Sequence, residues 1–150
     1  MRRTPRMLLW KRLFWNLTAV AVALLAMGAA ASAQGPNMRE VSLVRQDFSD
    51  CPNDNVSDQD PSRVGGTVIL MRNNDGTTTV KIGITAAPNT KYNFFLKCVR
   101  ILGTVQTYDE GEGEAQFSFR TDEASNVFAF DMYPDGAPAG NKFQSVQVRF

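Results

Sequence analysis

The sequence predicts an all-β domain, a mostly antiparallel sandwich of about seven strands, and three observations carry that reading. Apolar residues alternate with polar ones at period two in several segments, most regularly at Val80, Ile82 and Ile84. Clusters of Gly, Pro, Asn and Asp separate those segments. No window holds sustained helical spacing.

Taken in order, Met38 to Phe48 reads as a less regular first strand, followed by an irregular connection of 16 residues, Ser49 to Val64. A connection of that length is more than a turn requires, and such loops tend to be functional. Gly66 to Arg72 and Thr77 to Thr85 form the next two strands, joined by Asn73-Asn74-Asp75-Gly76. Asp-Gly tolerates the positive φ angles of tight hairpins, so this pair predicts a β-hairpin. Tyr92, Phe94, Leu96 and Cys98 share one face of a third strand of this series. Ala115, Phe117 and Phe119 share one face of another, then Phe128, Phe130 and Met132, and finally Val146, Val148 and Phe150. The expected core is Val80, Ile82, Ile84, Phe94, Leu96, Phe117, Phe119, Phe128, Phe130 and Val148.

Ahead of these strands the chain reads as a targeting segment. Arg2, Arg3, Arg6, Lys11 and Arg12 precede the apolar run Leu17 to Gly28, and Ala31 and Ala33 fit an Ala-x-Ala peptidase site. Residues 1–33 are thus expected to be a cleaved signal peptide, and 34–150 a single β-sandwich domain that is periplasmic or secreted. An uncleaved anchor is the competing reading, since Leu17 to Ala33 borders on the length of a tilted span. The first cysteine, Cys51, is too far along for lipoprotein processing.

Cleavage changes the charge. Residues 1–33 hold five of the 16 basic residues and none of the 15 acids, leaving 11 bases against 15 acids, a net charge of −4. A mildly acidic domain argues against nucleic acid or an anionic membrane as partner. An exported chain with two cysteines is expected to join them, Cys51 to Cys98, pinning the long connection to the sheet. Redox chemistry would favour a Cys-x-x-Cys pair or a nearby base, and the sequence has neither.

Histidine is absent, which removes Ser-His-Asp and Cys-His catalysis and histidine-ligated metals. Gly111-Glu112-Gly113 lies among acids and is not followed by Gly-Lys-Ser or Gly-Lys-Thr, so a phosphate cradle has no support. Carboxylates are the chemistry that remains. Asp54, Asp58 and Asp60, with Asp50, Asn53 and Asn55 nearby, offer oxygen ligands of the kind calcium takes. Asp and Asn also populate solvated loops for turn-forming reasons alone. Asp109, Glu110, Glu112 and Glu114 bracket a Gly-containing turn and read as a soluble hairpin tip. A glycosidase would need two carboxyl groups across a cleft, and no cleft is indicated. Tyr108 and Tyr133, in expected loops, could stack on sugars, although loop tyrosines also serve as partly buried anchors.

If Tyr92, Phe94 and Leu96 face inward, Phe95, Val99 and Ile101 share the outer face. That surface is expected to be covered by another segment of the chain or by a binding partner. The final strand, through Val146 and Val148 to Phe150, could be an exposed edge that pairs with a partner strand.

The segment Ile84-Thr85-Ala86-Ala87-Pro88-Asn89-Thr90-Lys91-Tyr92-Asn93-Phe94 resembles the Pro-x-Thr-x-Tyr approach to a strand in fibronectin type III and related immunoglobulin-like sandwiches. In those families the tyrosine hydroxyl bonds back to nearby backbone, so the resemblance implies that Tyr92 is a corner residue. Fibronectin modules carry one strand after that tyrosine strand, whereas three more are read here. The resemblance implies a general immunoglobulin-like sandwich in a small exported bacterial protein, and it transfers no binding or catalytic residue.

Together these readings give an exported, non-enzymatic binding or structural module of the cell envelope, with a protein or glycan as partner and no cofactor beyond the calcium considered above. The alternative is a small acid-dependent or calcium-dependent enzyme acting on an extracellular polymer.

Overall fold

The computed structural model describes residues 35–137 and 142–150, so the expected signal segment lies outside the described residues. The hairpin read from Asn73 to Gly76 shows how local chemistry sets the register. Gly76 adopts φ 81°. Asp75 Oδ1 accepts from the Thr77 N–H at 3.0 Å and from its hydroxyl at 2.7 Å, while Asn73 Nδ2 donates to Thr77 and Thr79 Oγ1 at 2.9 Å each. The turn thereby fixes β2 (Val64–Arg72) against β3 (Thr77–Thr85), with Val68 opposite Ile82 and Leu70 opposite Val80. A one-residue slip would turn all four of these buried side chains to the other face.

The described residues are all-β. Ten strands pair antiparallel throughout, with two short 3-10 turns and no α-helix. The others are β1 (Met38–Arg45), β4 (Lys91–Leu96), β5 (Arg100–Gln106), β6 (Glu112–Arg120), β7 (Val127–Phe128), β8 (Phe130–Pro134), β9 (Phe143–Ser145) and β10 (Val148–Arg149). Eight of them form one sheet in the order β5-β4-β8-β9-β1-β2-β3-β6, and β7 and β10 form a separate pair. The large sheet curls into a sandwich-like, nearly closed shape. Its two edge strands approach where the Phe117 ring of β6 lies over Gly103 of β5, and where Gly113 meets the Gln106 carbonyl.

Between the facing halves lies a continuous core that includes Leu43, Val68, Leu70, Phe94, Phe130 and Phe143. Phe94 stacks on Phe117 at 5.8 Å and on Phe130 at 5.0 Å, and Phe128 meets Phe119 and Phe130 edge to face. The residues expected in the core are buried, except that Phe117 is half-buried because it sits at the seam. Phe150 packs against Phe128, with the Arg72 guanidinium 4.0 Å from its ring and that of Arg39 4.9 Å away.

The strand count corrects the expected seven. Lys97, Cys98 and Val99 form a turn rather than continuing the strand: Cys98 has φ 59° and the Val99 N–H donates to the Leu96 carbonyl at 3.0 Å. The apolar segment around it has no Gly, Pro, Asn or Asp to mark a reversal, so alternation alone ran two strands together. The stretch from Phe128 to Met132 is likewise divided between β7 and β8, the last strand is shortened to β10, and β9, just before the expected Val146, is a strand the alternation did not reveal. β1 ends at Arg45 rather than Phe48, after an irregularity between Leu43 and Val44 that accompanies burial of both neighbours.

Candidate functional site

The long connection begins at Gln46, and it folds back over the sheet. Gln46 braces its base, donating from Nε2 to the Ser57 carbonyl at 2.8 Å and accepting from the Ser57 N–H at 3.4 Å. Further along, the Phe48 N–H donates to Gln144 Oε1 at 2.7 Å, and Gln144 Nε2 donates to the Phe48 carbonyl at 2.8 Å. Asn53, in the left-handed region at φ 56°, donates from Nδ2 to the Ser145 carbonyl at 2.9 Å. Asn tolerates this conformation better than most residues. Val44 and Val56 are buried here, outside the main core cluster.

At the centre of this arrangement is a buried ion pair. Lys97 Nζ donates to the Phe48 carbonyl at 2.7 Å and to Asn53 Oδ1 at 2.5 Å, and lies 3.5 Å from Asp131 Oδ1. The side chains of Lys97 and Asp131 are only 6% and 13% exposed. Burial pushes the Asp131 carboxyl above its ordinary range, against the opposing pull of the Lys97 charge and the Gln144 hydrogen bond. Such groups are tolerated inside a protein only when paired and hydrogen-bonded, and among the described residues no buried side-chain nitrogen or oxygen lacks a partner.

Cys51 and Cys98 are joined as expected, with a Cα–Cα distance of 5.6 Å. The bond closes a loop that contributes about 4 kcal/mol in the chain-entropy account. It also flanks the buried cluster, two positions from Asn53 and next to Lys97.

The structure does not gather the three candidate calcium ligands. Asp54 Oδ1 accepts from Gln147 Nε2 at 2.6 Å, Asp58 Oδ2 accepts from the Ser42 hydroxyl at 3.0 Å, and Asp60 caps the 3-10 turn Pro61–Arg63 through Ser62. The Ser62 hydroxyl and N–H hold the Asp60 carboxyl below its ordinary range. No group of three or more metal-ligating side chains comes together among the described residues.

Of the residues expected on the outer face, Phe95 and Ile101 do meet, but as cross-strand partners on β4 and β5 rather than along one strand. Val99 lies in the intervening turn, and it is 52% exposed against 46% for Ile101. Phe95 stacks on Tyr133 at 4.8 Å, and the Lys142 ammonium, paired with Asp47 at 3.0 Å, lies 5.1 Å from the Tyr133 ring. The long connection thus covers the sheet around β8 and β9, while Val99 and Ile101 at the β4–β5 rim stay exposed beside a half-buried Phe95.

A second surface lies where β2, β3 and β6 run side by side. Gly66, Gly83, Gly113, Tyr108, Glu112 and Glu114 line a shallow groove, with open space above Gly83 and with Tyr108 68% exposed. The acids around it stand on the hairpin tip expected there, where Gly111 turns the chain at φ 83°. Near the same tip the Tyr92 hydroxyl accepts from the Ala87 N–H at 3.1 Å, a bond to backbone five residues earlier, and the Ala86 N–H donates to the Gly111 carbonyl at 2.9 Å.

Sequence reasoning missed Lys97, Asp131 and Gln144, and placed Asn53 with the candidate calcium ligands rather than beside an ammonium. Each looks like an ordinary surface polar residue, and their convergence depends on a loop crossing three strands. A search with the sequence finds no matching protein-family model and no matching curated protein.

Proposed function

We propose that the protein is exported, is cleaved after Ala33, and works as a non-enzymatic binding module of the cell envelope that engages a protein partner through the rim formed by Phe95, Val99 and Ile101. The observation that carries this reading is the exposure of Val99 and Ile101 on a segment that cannot readily rearrange. Val99 follows the disulfide directly, and Ile101 is held in the β4–β5 ladder. Apolar side chains held in place lose little conformational entropy on binding, which favours a contact surface. The disulfide fits an oxidising compartment, and among the described residues no helix is long and apolar enough to cross a membrane.

The test is cross-linking in the envelope of the native host, comparing the natural chain with a Val99→Glu/Ile101→Glu variant. One partner should be captured by the natural chain and lost with the variant, while the melting temperature stays unchanged. Capture that is insensitive to both substitutions would overturn the assignment of the rim.

A glycan is the second reading, favoured by the exposed Tyr108 at a groove floored by glycines. An aromatic ring can stack on a sugar while nearby carboxylates accept its hydroxyl hydrogens. Binding on a glycan array that disappears in Tyr108→Ala and persists in the rim variant would favour this surface over the rim.

A further inference from the structure

We propose that the Lys97 side chain forms an amide bond with the Asn53 side chain, an autocatalytic cross-link assisted by Asp131. Three features of the cluster meet the requirements of that reaction. The nucleophile and electrophile are in contact, with Lys97 Nζ 2.5 Å from Asn53 Oδ1, so a small rotation of the amine brings it to the amide carbon. The proton acceptor is beside the amine, with Asp131 Oδ1 3.5 Å away, a separation that a general base closes during reaction. The site is also sheltered from water, since Asn53 is 1% exposed and Lys97 8%.

The chemistry balances without any further reagent. Asp131 takes a proton from the Lys97 ammonium, and the free amine attacks Asn53 Cγ. As the tetrahedral intermediate collapses, the Cγ–Nδ2 bond breaks while the new Cγ–Nζ bond stays. The leaving nitrogen departs as ammonium, carrying one proton given up by the attacking nitrogen and the proton that Asp131 returns, which leaves Asp131 a carboxylate. Burial favours the first transfer, because exchanging an ammonium–carboxylate pair for neutral groups removes two charges from a poorly solvated place. The Asn53 Nδ2 bond to the Ser145 carbonyl and the neighbouring Cys51–Cys98 bond hold the amide in position. The product would tie the long connection to the β4–β5 turn a second time, by a bond that reductants cannot open.

The plain alternative is a buried ammonium held by the Phe48 carbonyl, Asn53 and Asp131, and mass spectrometry separates the two. The full chain is expressed with its own N-terminal segment, purified, reduced, alkylated and digested with trypsin. The intact mass is expected to fall short by one ammonia beyond any lost by cyclisation of an N-terminal Gln34, and the joined peptides locate that loss. The peptide 46–63 should be joined to the peptide 92–100, with cleavage blocked at Lys97. Lys97→Arg should lack the junction and the ammonia loss that goes with it, and a folded Asp131→Asn should remain uncross-linked.

A natural chain of full mass with separate peptides would overturn the proposal. Ammonia loss without the junction would come from a cyclised N-terminal glutamine, Gln34 of the cleaved chain or Gln46 of the peptide, or from a cyclised Asn53 backbone, and would overturn it too, as would loss of water with Lys97 joined to Asp131. A cross-linked Asp131→Asn would remove Asp131 from the reaction. The natural chain decides the main point even where a variant fails to fold.

Discussion

Phe117 occupies the space that a side chain at Gly103 would fill: a Cβ built on Gly103 would lie 2.2 Å from Phe117 Cε1. That relationship draws the two edge strands of the large sheet together, because the ring of one needs the bare backbone of the other.

Gly103→Val should therefore destabilise the fold by about 1 to 3 kcal/mol through overpacking, measured by urea denaturation. Phe130→Ala, at a fully buried position, should cost about 3 to 5 kcal/mol, and Phe117→Ala somewhat less because its ring is half-buried. Gln116→Ala, on the outer face, should be nearly silent. Equal effects at all four positions would contradict the seam.

Acid should act on the carboxylates in opposite directions. Asp75, Asp122 and Glu123 are held below their ordinary range: hydrogen bonds come from Thr77 to Asp75, from Arg120 to Asp122, and from Arg100 and the Arg120 N–H to Glu123. Their contributions are complete above the unfolded-state values and are lost as pH falls through the folded ones. Asp131 is raised by burial, so its contribution declines as pH rises from the unfolded-state value through the folded one. In a carboxyl-carbon NMR titration, Asp131 should be the later of the pair Asp75 and Asp131 to lose its proton as pH rises. The reverse order would mean that the buried cluster is open to water.

The disulfide should matter most where it alone closes the connection. In a Lys97→Arg background, replacing Cys51 and Cys98 by serine should reduce stability by up to about 4 kcal/mol. Protease nicking between residues 46 and 60 should rise with it. Unchanged stability and nicking would show that the hydrogen bonds of Phe48, Asn53 and Gln144 hold the loop unaided.

Calcium should leave the melting temperature where a chelator leaves it, since Asp54, Asp58 and Asp60 are directed to Gln147, Ser42 and Ser62. A stabilisation that rises with calcium concentration would require the loop to rearrange and bring those carboxylates together.

The sequence by itself determined what depends on near neighbours. The hairpin at Asn73 to Gly76 was legible because the turn residues and the alternation on either side act locally, and the inward faces of β3 and β6 followed from the same period. The cysteine pairing was legible because only one intramolecular pair can be made. Tertiary structure alone decided the rest. The reversal at Cys98 is made by a non-glycine residue in an unmarked apolar stretch, so one expected outer face became two strands with Phe95 opposite Ile101. Lys97 and Asp131 resemble solvated charges in the linear pattern. They are buried because residues 46–60 fold over them, and Asn53, 44 positions before Lys97, reaches the ammonium only in the folded chain. Alternation reports which way a side chain points from its own strand. It does not report what later covers that strand, and here that covering buries the Lys97–Asp131 ion pair.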